Sequence, residues 1–266
     1  METVTTPGPR MLRAVSSVRR QRALPEDPRR SLRIFDHEPD LLIGIDAKTA
    51  QHLRLRVGVR QLGFESGTWS PYEAPGPAAD MLGLLVTEGV MARTTSIFDR
   101  RCCELVGAGD LLRPWDDCGA AQGPAESSWR VLAPTRVAVL DARFADIAGR
   151  WPSIISQLIS RTLARSRALS FQLAIAGVRR ADDRLLLLAW HLADRWGRVR
   201  PDGTLLPIPL THDLLAQLAR LRRPAASAAL VRLAHNGKLI RTRNGEWLLT
   251  GEFPSVDAAA TLAATA

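Results

Sequence analysis

Lysine is almost missing from this chain. Lys48 and Lys238 are the only two among 36 basic residues, and the rest are arginine. Arginine's planar fork suits bidentate contact to phosphate and guanine. A GC-rich genome encodes the same bias, and composition does not separate the two causes. Cysteine is scarce as well, at Cys102, Cys103 and Cys118. An odd count without CxxC spacing excludes a disulfide framework and a zinc site. Three thiols also fall short of the usual iron–sulfur ligand set. Adjacent Cys102 and Cys103 point to opposite faces of a strand, and all three cysteines read as reduced, partly buried thiols. Long apolar runs are absent: in the C-terminal part the longest is Leu185–Trp190, far too short to span a bilayer. The N-terminus lacks the apolar core of a secretory signal. The expected location is the cytoplasm, with no membrane partner.

Enzyme signatures are missing too. The five histidines are His37, His52, His191, His212 and His235. None lies in HExxH, no serine sits in GxSxG, and no phosphate- or dinucleotide-binding glycine motif occurs. Asp116-Asp117 has no second ligand cluster at metal spacing. The expectation is a protein that is not an enzyme, with no cofactor and no metal site.

What the chain does have is 266 residues, 46% of them hydrophobic, and a net charge of +9. That length can bury a substantial core without staples. The charge is unevenly placed. Residues 1–30 are net +4, residues 31–160 net −3, and residues 161–250 net +10. A basic last third is the electrostatic footprint expected for nucleic acid.

Residues 1–34, rich in Arg, Pro, Thr and Ser, read as a flexible basic arm. From 35 to 141 short apolar runs alternate with turn residues. Leu82–Thr87, Val90–Arg93 (after a Glu88-Gly89 turn), Arg101–Val106, Val131-Leu132 and Arg136–Leu140 are strand candidates, with a loop over 113–128. Their spacing predicts a small antiparallel roll or barrel. Residues 142–177 are helical: Asp141 caps Ala142–Ala148, and Pro152 opens a long helix to Ala176, stopped by Gly177. Ile155, Ile159, Thr162, Ser166, Leu169 and Leu173 recur at alternating spacings of four and three, a narrow coiled-coil stripe. Such a seam favours a partner helix, most simply from a second copy of the chain.

Residues 178–253 supply a helix over Arg184–Trp196, capped by Asp182 or Asp183. A hairpin through Pro201-Asp202-Gly203 follows. Thr211 then caps a short helix, His212–Ala219, and a second helix with Pro224 in its first turn follows after three residues. The last element is a hairpin with Asn244-Gly245 as a two-residue turn. Two helices joined by a short turn and followed by a basic hairpin make a winged helix-turn-helix. Residues 254–266 read as a frayed tail. The fold class is α+β: an N-terminal antiparallel β-roll, a long dimerisation helix and a C-terminal winged helix-turn-helix.

The stretch PLTHDLLAQLARLRRPAASAALVRLAHNGKLIRTRNGEWLL resembles the Crp/Fnr family of transcription regulators. The segments VGAGDLLRPW and RVLAPTRVAVLD are similar to the family's cyclic-nucleotide-binding-like roll. The resemblance covers about residues 35–250. It implies a homodimer on double-stranded DNA, acting as a sequence-specific regulator, with RNA polymerase as a further partner. Arg223 stands where the family's base-reading helix has its first Arg, and so becomes the candidate guanine contact. Pro224 takes the family's Glu position and Ala228 its second Arg position. Thr211, Arg222, Ser227, Arg241, Arg243 and Asn244 are the candidate phosphate contacts. Arg220 stands at a turn position where Gly is common, which suits a turn that avoids positive φ. In the roll the family's Gly-Asp is present as Gly109-Asp110. Its Gly-Glu falls on Arg113-Pro114 and its Arg-Ser on Ser127-Ser128. With both charged ligands gone, the roll is not expected to bind cyclic AMP, and the effector is left unnamed. The Ala-rich reading helix also fits a degenerate relative that works through protein contacts or low-specificity DNA binding.

Overall fold

A computed structural model describes residues 31–71, 81–98, 100–118 and 125–253. Residues 1–30 of the expected arm and the expected tail, 254–266, lie outside the described residues.

The N-terminal part is one antiparallel sheet. Its strands are β1 (Ser31–Arg33), β2 (Gly58–Phe64), β3 (Gly67–Trp69), β4 (Gly83–Ile97), β5 (Arg100–Gly107), β6 (Leu111–Leu112) and β7 (Ala125–Leu140). The order is β1-β2-β7-β4-β5, with β3 on β7 and β6 on β4. Two expected breaks are absent. Glu88-Gly89 is no turn, because β4 runs through it and bulges between Val86 and Met91. Likewise β7 runs through Pro134. The two irregularities coincide for a physical reason: Pro134 has no N–H to donate to a ladder, and Gly89, at φ 89°, lets the facing strand come close. A Cβ on Gly89 would lie 2.4 Å from the Pro134 carbonyl oxygen. The loop expected over 113–128 contains a 3-10 turn at Pro114–Cys118 and the first residues of β7. Inside the roll, Phe64, Trp69, Met81, Met91 and Trp129 pack together, with Trp69 and Trp129 edge to face at 5.6 Å.

Helices α1 (Ile34–His37) and α2 (Ala47–Arg56) were not legible as periodic stretches and lie beside β1. Helix α3 (Ala142–Gly149) starts where Asp141 accepts the Phe144 N–H, and α4 (Pro152–Ala176) has the expected limits. Helix α5 (Ala181–Trp196) begins earlier than expected. Arg180 is its N-cap, without a side-chain bond, and Asp182 and Asp183 lie in the first turn instead. There they still favour the positive end of the helix dipole.

The C-terminal part adds β8 (Arg198–Arg200), β9 (Gly203–Leu206), α6 (His212–Leu218), α7 (Arg223–His235), β10 (Leu239–Arg241) and β11 (Trp247–Leu249), with strand order β10-β11-β9-β8. Its apolar core is shared with the roll: Val90, Ala92, Cys103 and Leu105 pack with Leu188, Leu215, Leu218 and Ala219. Burial pushes the Cys103 thiol up to about 12, which keeps it protonated, while neighbouring Cys102 is exposed. Polar groups secure the same seam. The Gln172 amide donates to the Cys103 carbonyl at 2.8 Å and to the Leu218 carbonyl at 3.0 Å. Arg195 pairs with Asp110 at 2.9 Å. Among the described residues, no helix is long and apolar enough to cross a membrane.

Candidate nucleic-acid interface

Helix α6 is held at its start by Thr211, whose hydroxyl accepts the Leu214 N–H at 3.2 Å. Its end is the informative part. Arg220 donates its N–H to Gln217 O and Leu221 donates to Ala216 O, a Schellman pattern that needs a left-handed residue at Arg220. Arg220 has φ 53°, so the expectation that this turn avoids positive φ is overturned. The same pattern ends α7, where Gly237 (φ 69°) holds the left-handed place. The turn thus retains the geometry for which glycine is suited, and Arg220 tolerates it at a cost of about 1–2 kcal/mol.

That turn sets α7 on the surface. Ala226, Ala229, Leu230 and Leu233 are buried against the core. Arg222, Arg223, Pro224, Ala225, Ala228 and Val231 are exposed. Pro224 fits in the first turn because no intrahelical N–H is needed there. The wing departs from the expected two-residue turn. Gly245 donates to Thr242 O and Thr242 donates to Glu246 O, and only Gly245 has positive φ. This is a three-residue loop, a type I turn closed by a left-handed glycine. A two-residue type I′ turn would need Asn244 at positive φ as well.

The fold brings several of the candidate residues together. Thr211, Arg241, Asn244 and Gly245 line one cleft of about 280 Å³ between the wing and the start of α6. Arg241 lies over the Trp247 ring at 5.9 Å, and His212 packs against the same ring at 5.8 Å. His212 Nδ1 is 3.3 Å from Ser227 Oγ, so Ser227 is half-buried and tied to α6. His212 is neither a cap nor fully exposed. Burial holds its pKa below the usual imidazole value, and repulsion from Arg241 and Arg223 adds to this. The Trp247 ring and Ser227 thus tie His212 to the wing and to α7. Arg243 and Asn244 are exposed at the wing tip. Sequence reasoning missed Val231, which is 66% exposed; an apolar residue at helical spacing carries no signal of which face it takes.

On α4 the expected stripe faces outward. Ile159 and Leu173 are 54% and 62% exposed, Leu169 is 38% exposed, and Thr162 and Ser166 are exposed; Ile155 is half-buried. Leu163, at 53%, extends the same patch. The neighbouring face, about 100° round the helix, is bound to the chain itself. Arg161 bridges Glu38 at 2.7 Å and Asp40 at 2.6 Å, and Arg165 grips the buried Glu104, which Arg93 also holds at 3.0 Å. In the roll, Arg113 does not stand free as an anion ligand: it donates to Met81 O at 2.7 Å and to Asp116 at 2.8 Å. Ser127 and Ser128 pair across the ladder with Thr95 and Thr94.

No family model matches the chain, and no curated protein matches it by sequence. Solved structures do match in fold. A cyclic nucleotide-binding domain containing protein from Listeria monocytogenes is 17% identical with a TM-score of 0.57, over 71% of this chain and 88% of that one. A CooA mutant from Carboxydothermus hydrogenoformans is 16% identical with a TM-score of 0.55, over 78% and 88%. A CRP-family transcriptional regulator from Thermus thermophilus is 19% identical with a TM-score of 0.52, over 74% and 93%. With its antiparallel roll, long connecting helix and winged helix-turn-helix, the chain has the fold of the Crp/Fnr regulators.

Proposed function

We propose that this protein is a sequence-specific transcription regulator that binds a two-fold symmetric DNA site as a homodimer. Each α7 enters a major groove, and the half-sites lie about one helical turn apart. The observation that carries this reading is the cleft that Thr211, Arg241 and Asn244 share between the wing and the start of α6, joined to α7 by the contact of His212 with Ser227 on the basic third of the chain. Arg223 reads a base edge. Thr211, Arg222, Ser227, Arg241, Arg243 and Asn244 serve the phosphates, Ser227 after leaving His212. The seam of the dimer is the outward stripe of α4, Ile155 to Leu173. The roll works without cyclic AMP: Arg113 is engaged internally, and aromatic side chains fill the interior. RNA polymerase is the natural further partner of such a regulator, and the protein performs no catalysis.

The domain limits that go with this reading are a basic arm over 1–30, a roll over 31–141, the dimerisation segment over 142–177 and the DNA-binding domain over 178–253; the expected arm loses residues 31–34 because Ser31–Arg33 pairs with β2 and Ile34 is buried. The test is capture of genomic duplex fragments by the full-length protein, followed by titration across salt. The reading expects enrichment of a two-fold symmetric sequence and a linear fall of log affinity with log salt. Arg243→Ala should weaken binding to every sequence and flatten that slope. A second reading, low-specificity binding or action through protein contacts, is favoured by the exposed Ala225, Ala228 and Val231 on α7. Binding without preference for any fragment would select it.

A further inference from the structure

The outer face of α7 carries an unusual set of groups for a base-reading helix. After Pro224, Ala225, Ala228 and Val231 are exposed along one arc of the helix. Ser227, the hydroxyl among them, is turned toward His212. Arg232 is exposed but held by Asp182 through two contacts, at 2.9 and 2.5 Å. From Ala225 to Val231 that arc therefore offers methyl groups where hydrogen-bonding side chains usually stand, with exposed His235 one turn further on. Val231 stands out because a β-branched residue has modest helix propensity. At 66% exposed it also keeps its methyls in water.

Only one base feature of the major groove is apolar and projects from the edge, the 5-methyl group of thymine. From Ala225 to Val231 the helix rises about 9 Å, and stacked bases are about 3.4 Å apart. The arc thus spans two to three base steps. Alanine's short side chain allows the backbone to sit close to the base edges, and Val231 extends the contact at the far end. Resting on the DNA-binding reading above, we infer that α7 reads thymine 5-methyl groups through Ala225, Ala228 and Val231, with Arg223 supplying the one hydrogen-bonded base contact. The methyl, not the pairing edge, is the recognised group, so 5-methylcytosine also satisfies it.

The experiment starts from duplexes enriched out of a random pool by the full-length protein. Each thymine of the enriched site is replaced, in both half-sites, by deoxyuridine, which differs only in lacking the methyl. Loss of one buried methyl corresponds to about fourfold in affinity per half-site. The expected result is such a loss at one to three adjacent thymines and nowhere else. Replacing one of those thymines by cytosine should weaken binding, and 5-methylcytosine there should recover part of it. In Val231→Ala the deoxyuridine effect should vanish at a single position and persist at the others, which a general effect on DNA shape does not produce. An enriched site whose thymines all tolerate deoxyuridine within about twofold overturns the inference while leaving sequence-specific binding intact. A pool with no enriched sequence removes both.

Discussion

Helices α4 and α7 both expose apolar side chains, and they do so with different residues. On α4 the exposed groups are large: Ile159, Leu163, Leu169 and Leu173. Its residues Arg161 and Arg165 turn inward onto Glu38, Asp40 and Glu104, beside the buried Ile154 and Leu158. On α7 the exposed apolar groups are small, Ala225 and Ala228 with a single Val231, and arginines stand at its start. Large side chains at alternating spacings suit insertion between the side chains of another helix. Small ones suit close approach to a flat edge. The contrast between a sticky helix and a smooth one fits the dimer on DNA proposed above.

The sharpest way to break this contrast is to charge the sticky helix. Ile159→Glu with Leu173→Glu should give a monomer by sedimentation. Affinity for a two-half-site duplex should then fall at least about 100-fold, because the second half-site no longer binds intramolecularly. A dimer of unchanged affinity would disprove the assignment of that face. Charge at α7 comes next. Arg223→Ala should cost roughly 1–3 kcal/mol on the enriched sequence and relax one base position. Equal losses on enriched and random duplexes would remove its base-reading role.

The turn that orients α7 gives a smaller effect of opposite sign. Arg220→Gly should stabilise the protein by about 1 kcal/mol in urea unfolding. Arg220→Ala, which removes the charge but retains the left-handed strain, should not. Smallest is the effect of pH. His191 and His212 are held below the usual imidazole value, each chiefly by burial. Above about pH 6.5 both the folded and unfolded chains carry them neutral. As pH falls below that value the unfolded chain takes up protons that the folded one refuses, so stability should fall. His191→Gln with His212→Gln should flatten unfolding midpoints measured between about pH 7 and 5.5; an unchanged slope would show that these imidazoles do not contribute.

Legibility in the sequence followed the range of the forces involved. The limits of α4, the caps Asp141 and Thr211 and the stop at Gly237 were all readable, because each is decided within a few residues. The left-handed Arg220 was not, since its side chain gives no reason for that conformation and only the packing of α6 against α7 imposes it. The bulge at Gly89 was misread as a turn, because Glu-Gly looks the same in both and the facing Pro134 lies 45 residues away. Of the candidate site, the arginines and Thr211 were legible from position in the motif. The engagement of Ser227 with His212, and the exposure of Val231, were not.

By itself the sequence determined the element types from Asp141 onward, the α4 stripe and the basic last third, since periodicity, capping and charge are local properties of the chain. Tertiary structure alone decided which face of α4 stays bound to its own roll and which is left outward. It also decided that the roll and the winged helix-turn-helix share a core through Cys103, Gln172 and Leu218. These depend on residues far apart in sequence meeting in space, and burial and pairing energies exist only once they have met.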